Sequence, residues 1–314
     1  MGVVCAAYGS LTLAAWGEQW LVAYVDARLA PATARAYRFH WYRRIVPSLG
    51  ERTLAELEDQ PLFIDELRLE LAAADVGASS IRHALAVLSS ALTRAQRMGL
   101  IDRNPVPLVG NPPPRRVRRA MPLGPAEVEA LRGELEPRDA ALVSVLALAG
   151  LRPGEALALR WSDVRERTLA VEQSVSFGAP RTTKTGRSRY VPLMAPLAED
   201  LASFRVRGAR EASLVFPGAV GEVWSDTAYR NWRTRRFRPA ARLAGLPDAT
   251  PYTLRASFAS LQLHAGRPVL EVAQMLGHSP QVLLDHYAGL IAELVGADPV
   301  PAEEAVRAAR ARRA

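Results

Sequence analysis

The amino-acid sequence predicts a mainly α chain (α+β in the strict sense) of two domains, the second carrying one small antiparallel sheet. Three observations lead there. The first hundred residues place apolar side chains at helical spacing, in WGEQWLVAYVDARL (16–29), in PATARAYRFHWYRRIVPSLG (31–50, opened by Pro31 and closed on Gly50) and in the serine-led run 78–100, which ends at Gly99. The stretch IDRNPVPLVGNPPPRRVRRAMPLGP (101–125) is too rich in proline for a helix or a central strand. Beyond it, TLAVEQSV (168–175), a run near 179–184 and RSRYVPL (187–193) read as three antiparallel strands, with a turn at Thr185-Gly186 between the last two.

The expected division is therefore a helical domain over 1–105, a basic linker over 106–122 and a second domain over 123–314. Within the second domain, helices are expected over 125–136, 137–149, 153–160, 195–209, 225–245, 252–265, 268–276 and 280–293. A basic, helix-prone tail covers 303–314.

Composition narrows the function classes. The chain has 314 residues, 49% of them hydrophobic, enough to bury a core in each domain. No segment reaches the roughly 18 unbroken apolar residues of a membrane span. The start, MGVVCAAYGSLTLAAW, lacks the basic leading region of a signal peptide. Cys5 is the single cysteine, which excludes an intrachain disulfide and a cysteine-based zinc site. The simplest compartment is the cytoplasm.

Forty basic against thirty-two acidic residues leave a net charge of +8, which favours a polyanionic partner, nucleic acid before a membrane surface. One of the forty cations, Lys184, is lysine, so the other thirty-nine are arginine. Arginine keeps its proton in a protein, whereas lysine can act as a general acid. Lys184 is thus the lysine available to proton-transfer chemistry. In the helical domain Thr33, Arg35, Arg38, Arg43 and Arg44 are available to a phosphate backbone. In the linker, Arg115, Arg116, Arg118 and Arg119 form a basic cluster able to track one between two DNA-contacting domains.

Four pieces of the second domain carry candidate chemistry. They are LAGLRPGEALALRWSDV (148–164) with Arg152, TTKTGRSRYVPL (182–193) with Lys184, TPYTLRASFASL (250–261) with Arg255, and LGHSPQVLLDHYAGL (276–290) with His278 and Tyr287. Arginine forks clamp the non-bridging oxygens of a phosphodiester and stabilise charge developing there. A tyrosine can be a covalent nucleophile, a histidine can hydrogen-bond the phosphate, and a lysine can protonate a leaving alkoxide. Taken singly, Tyr287 suits a half-buried core position and His278 a helix start; the ordered set is what singles them out. His278, Asp285 and His286 do not match the i, i+4 spacing of a helical zinc site, so no metal is expected.

On these motifs the chain resembles the tyrosine recombinase family of the phage-integrase type. GLRPGE and LALRWSDV resemble its first arginine motif, TKTGRSRYVPL its lysine hairpin, TLRASFAS its second arginine box, and LGH with a tyrosine nine residues after the histidine its closing pattern. WGEQWL, PATARAYR, LSSALTRA and RNPV are similar to its helical, SAM-like core-binding domain. The resemblance implies that Arg152 and Arg255 bind the scissile phosphate, Lys184 protonates the 5′ oxygen, His278 hydrogen-bonds the phosphate, and Tyr287 attacks to form a 3′-phosphotyrosyl link. Glu155 stands where the family often has a supporting acidic residue. It further implies a site-specific recombinase of a phage or mobile element, acting without metal, ATP or other cofactor. Such an enzyme works on double-stranded core sites, as a homotetramer passing through a Holliday junction, with directionality or DNA-bending proteins as accessory partners, and beside the bacterial nucleoid. The tail after Tyr287 would dock on a neighbouring protomer or be solvated.

Two departures qualify the resemblance. Tyr252 stands three residues before Arg255, where the family usually has histidine. Its hydroxyl can still donate to a phosphate oxygen, with less capacity for proton exchange near neutral pH. About fifteen residues precede the first core-binding-like helix, which implies recognition of core sites alone or a start further upstream. The alternatives are a Xer-type resolvase, a type IB topoisomerase-like enzyme, against which the separate N-terminal domain argues, and a DNA-binding relative impaired by Tyr252.

Overall fold

The computed structural model describes residues 10–113, 121–176, 179–182, 188–205, 209–219, 221–285 and 298–313. The chain divides into two compact units, residues 1–118 and residues 119–314.

The first unit is helical. Helix α1 (Leu13–Trp20) is capped by Thr12, whose hydroxyl accepts from Ala15 N at 3.2 Å, and runs on through a wider π-helical segment, Leu21–Asp26. Helix α2 (Pro31–His40) has Pro31 in its first turn and continues through a second π-helical segment, Trp41–Ile45, into Val46–Leu49. Helices α3 (Leu54–Asp59) and α4 (Leu62–Ala73) follow, neither of them among the helices expected from sequence. Thr53 and Glu56 form a reciprocal capping box at the start of α3, with Thr53 N donating to Glu56 Oε2 at 2.7 Å. Helix α5 (Ala78–Arg97) buries Ile81, Ala84, Leu85, Leu88, Ala91, Leu92 and Ala95, a stripe at helical spacing. It closes over Trp16, Trp20, Trp41 and Ile45, all essentially buried. Gly17 lets this happen, because a Cβ there would overlap the Trp41 indole.

The second unit is built around α7 (Pro137–Leu148), which is buried continuously from Ala141 to Leu148. Helices α6 (Pro125–Gly133), α9 (Ala195–Phe204) and α11 (Pro251–His264) lie against it. Helix α8 (Pro153–Ala158) and α12 (Val269–Leu276) complete the site end of the unit. Helix α10 begins as Asp226–Trp232, widens through Arg233–Phe237 and continues as Arg238–Leu243. The chain is helical over 280–285, and the remainder of the helix expected to 293 lies outside the described residues. The tail forms α13 (Ala302–Ala311) on α6 and α9 of its own chain. Arg310 bridges Glu129 (3.2 Å) and Asp200 (2.6 Å), and Arg307 pairs with Glu199, so these arginines are engaged within the unit.

The sheet departs from expectation. The predicted first strand is broken at Glu172 into β1 (Thr168–Val171) and β2 (Gln173–Ser176). β1 pairs antiparallel with β4 (Arg189–Pro192), Val171 opposite Arg189. β2 pairs with β3 (Ala179–Thr182), Gln173 opposite Thr182. The described strands therefore make two two-stranded ladders and not one sheet of three. The cause is packing. Leu169, Ala170 and Val171 are all buried, whereas β2 leaves that ladder to lie along α8. There Gly154 leaves room for backbone: a Cβ on it would sit 2.6 Å from Val175 O. The expected turn at Thr185-Gly186 lies outside the described residues.

Replacing Gly17 with alanine forces a methyl group into the Trp41 ring, and overpacking of this kind costs about 1–3 kcal/mol. Urea unfolding of Gly17→Ala should show that loss, with the midpoint lowered and the denaturant slope unchanged.

Candidate active site

Five of the six residues of GLRPGE have a geometric task. Gly150 takes φ +64°, in the left-handed region, where a Cβ would also strike Phe258. Arg152 is the N-cap residue of α8 and Pro153 opens the helix. Gly154 admits β2. Glu155, three residues after the cap, turns its carboxylate back to accept from Arg152 N at 2.8 Å and from Arg152 Nη1 at 2.8 Å. Local sequence thus places an arginine and its counter-charge together at one helix start.

Tertiary structure brings in the rest. Arg189 on β4 spans both oxygens of Glu155, Nη1 to Oε1 at 3.0 Å and Nη2 to Oε2 at 2.6 Å. Arg255, in the second turn of α11, lies 3.8 Å from Glu155 Oε2. It donates to Gly150 O and Leu276 O, and its Nη2 is 3.0 Å from His278 Nε2. The guanidinium has no acceptor, so Nε2 must accept and the imidazole carries its proton on Nδ1.

The C-terminal end of α12 is the other half of the site. Gly277 closes it at φ +62°, and His278 N returns to Ala273 O at 3.0 Å. Three successive carbonyls left at that end accept from the three arginines: Met275 O from Arg189 Nε (2.7 Å), Leu276 O from Arg255 and Gly277 O from Arg152 Nη2 (3.1 Å). His278 follows directly and is held half-buried beside Arg255.

The electrostatics follow from burial. Glu155 is 2% exposed. Burial alone would raise its pKa, but the hydrogen bonds and charge of Arg189, the Arg152 N–H and the Arg255 charge outweigh it and hold the carboxyl at about 2. Burial and the neighbouring Arg152 charge push Arg255 down to about 9, which leaves it protonated at neutral pH. Three guanidiniums against one carboxylate leave a net +2 in this cluster, a site suited to an oxyanion.

Of the residues singled out from sequence, Arg152, Glu155, Arg255 and His278 come together here. Tyr252 lies one helical turn before Arg255 on α11 and is 65% exposed. Its neighbour Tyr229 on α10 is pushed up to about 12 by burial and by the Tyr252 charge. Lys184, Tyr287, Arg115, Arg116, Arg118 and Arg119 lie outside the described residues. In the first unit Thr33 and Arg35 are exposed on α2, whereas Arg38 is ion-paired with Asp26 and Arg44 lies 5.6 Å from the Phe39 ring. Among the described residues no group of three His, Cys, Asp or Glu side chains is arranged to hold a metal ion, and no helix is long and apolar enough to cross a membrane.

Two features of the second unit are not among the residues singled out from the sequence. Arg189 is one of thirty-nine arginines, and only its place opposite Val171 in the β1–β4 ladder brings it to Glu155. The run YRNWRTRRFRPAAR of α10 exposes Arg230, Arg233, Arg235, Arg236, Arg238 and Arg242 while burying Trp232, Phe237, Ala240 and Ala241. Its signal, an arginine at nearly every turn beside a buried apolar stripe, was legible.

Residues 123–292, more than half of the chain, match the model of the phage integrase family. The chain belongs to that family. It is 26% identical over 287 residues to an integrase of Mycobacterium phage D29, covering 87% of this chain and 73% of the relative. It is 29% identical over 298 residues to the tyrosine recombinase XerC of Agrobacterium fabrum, covering 87% and 89%. Its fold is similar to that of a lambda integrase(75-356) dimer bound to a COC′ core site, with TM-score 0.71 and 20% identity over 88% of this chain and 95% of that one. It is also similar to the chain of a lambda integrase tetramer bound to a Holliday junction, with TM-score 0.68 and 19% identity over 89% and 82%. This phage integrase family member is a tyrosine-type site-specific recombinase.

The depressed Glu155 pKa sets a pH dependence. A group lowered on folding contributes stability that is present above its unfolded value, near 4.5, and lost as pH falls through the folded value of about 2. The difference is worth about 3 kcal/mol. Glu155→Gln should lower urea-measured stability at pH 7 by about 3–5 kcal/mol, since it leaves three guanidiniums facing one another. The variant should also lose that part of the acid sensitivity of the wild type.

Proposed function

We propose that Arg152, Arg255 and His278 bind the scissile phosphate of duplex DNA, and that Tyr287 attacks it. The observation that carries this reading is the convergence of the Arg152 and Arg255 guanidiniums on one buried carboxylate, with net positive charge and with the His278 imidazole 3.0 Å from Arg255. In the first step Tyr287 gives up its hydroxyl proton to water and its oxygen forms a bond to phosphorus as the bond from phosphorus to the 5′ oxygen breaks; Lys184 gives a proton to that 5′ oxygen and regains one from solvent. The product is a 3′-phosphotyrosyl ester and a free 5′ hydroxyl. Attack by the 5′ hydroxyl of a partner strand reverses the step and joins the new strand. The ester keeps the bond energy, so rejoining needs no ATP. Tyr252 donates to a phosphate oxygen in the position where the family usually has histidine.

Two rounds of exchange pass through a Holliday junction in a homotetramer, as the tetrameric state of the structurally similar lambda integrase on such a junction supports. The exposed arginines of α10, together with Thr33 and Arg35 and the linker arginines Arg115, Arg116, Arg118 and Arg119, hold the backbone of the core site. Arg38 joins them on exchanging Asp26 for a phosphate. The biological role is integration of a phage or mobile element, in the bacterial cytoplasm at the nucleoid, with accessory proteins setting direction. The likeness to XerC supports resolution of replicons as a second reading.

Labelled duplex from the flanks of the gene, incubated with the protein and denatured in SDS, should yield a covalent protein–DNA adduct. Tyr287→Phe should abolish it, and Arg255→Ala should slow its formation by about 10²–10³-fold, as for loss of one donor to a developing oxyanion. A wild-type protein that binds this DNA and forms no adduct refutes the catalytic reading. Arg233→Ala with Arg236→Ala should reduce the slope of log affinity against log salt by about 2, one for each lost phosphate contact. Filter binding over a salt series measures it.

A further inference from the structure

Arg189 has no role in the scheme above, yet it is more deeply buried than Arg152, with 11% of its side chain exposed against 25%. Its three nitrogens are each assigned: Nη1 and Nη2 to the two oxygens of Glu155, Nε to Met275 O. Those two acceptors belong to the two elements that present the phosphate-binding groups. Glu155 holds Arg152 at the start of α8. Met275 is three residues before His278, at the end of α12 whose next two carbonyls accept from Arg255 and Arg152. The guanidinium also lies under Gly277, where an added Cβ would be 3.4 Å from its Cδ and Nη1.

We propose that Arg189 is a positioning residue that sets the distance between Arg152 and His278 by clamping the Glu155 carboxylate of α8 to the Met275 carbonyl of α12. It does not meet the phosphate itself. A planar fork is needed, because one end must span two carboxylate oxygens while the third nitrogen reaches a carbonyl on a separate helix. An ammonium supplies the charge but cannot hold all three acceptors in one plane. Without the fork, Arg152 and His278 keep their identities but lose the spacing that aims both at one phosphate, and loss of aim of this kind costs about 10²-fold in rate.

This inference rests on the proposed phosphate-binding roles of Arg152, Arg255 and His278. The test compares Arg189→Lys with wild type, because Arg189→Met strips a buried carboxylate of its partner and is expected to unfold. Three quantities are measured: thermal midpoint, affinity for the attachment-site duplex, and the single-turnover rate of adduct formation at saturating DNA. The expected result is a Lys variant that melts within a few degrees of wild type, binds DNA within about threefold, and forms adduct about 100-fold more slowly. A wild-type rate in Arg189→Lys overturns the proposal, since charge alone then suffices. A rate loss matched by loss of fold or of DNA affinity overturns it too, since the residue is then structural. Absence of adduct from the wild type itself is a failure of the catalytic reading and is seen before the variant is compared.

Discussion

One buried carboxylate surrounded by three guanidiniums is the constraint on which the site depends. Glu155 could not be buried alone, because desolvating an unpaired carboxylate costs several kcal/mol. Arg152, Arg189 and Arg255 could not approach one another without it, because like charges at these separations repel strongly in a low-dielectric interior. Each half makes the other possible. The carboxyl at about 2 stays ionised at neutral and mildly acidic pH, so the arrangement there does not depend on a protonation event. What remains after the pairing is positive charge on preoriented donors, which is the property a phosphodiester needs.

The guanidiniums are satisfied from two sides. Glu155 supplies the charge, and the last carbonyls of α12 supply the neutral acceptors. Helix ends leave carbonyls without intrahelical partners, and the negative end of the helix dipole lies there. The left-handed Gly277 turns the chain sharply after Leu276, so three consecutive carbonyls face the arginines and His278 emerges beside Arg255. A helix terminus that would otherwise be capped by water becomes the wall of the site. The same economy appears at Gly150 and Gly154, where missing side chains let Phe258 and β2 press against the turn and the helix that carry Arg152.

Legibility differed sharply between parts of the chain. The GLRPGE motif was readable because its contacts are local: Arg152 and Glu155 are three residues apart, and capping geometry places them together whatever surrounds the helix. The order of Arg152, Arg255 and His278 was readable as a pattern, although no sequence rule states that Arg255 reaches a carbonyl 105 residues away. The sheet was misread because strand propensity continues through Glu172, while the ladder does not. Burial of β1 on both faces and the contact of β2 with α8 decide the break, and neither is visible in alternation. Helices α3 and α4 were missed on a stretch where acidic residues and Pro61 interrupt the apolar spacing, though Leu57, Ile64 and Leu67 are buried.

By itself the sequence determined the helical content, the two-part organisation of composition, the excess of positive charge and the local helix-start geometry of the first arginine motif. These depend on residue spacing along a few turns and on summed charge, which neighbours in space do not alter. Tertiary structure alone decided which of thirty-nine arginines sit on the carboxylate, which helix end lends its carbonyls, and which nitrogen of His278 accepts. Those are contacts between residues 21 to 125 positions apart, set by how the core closes around α7. An arginine in a sequence is a charge of unknown address, and burial beside Glu155 gives Arg189 its place.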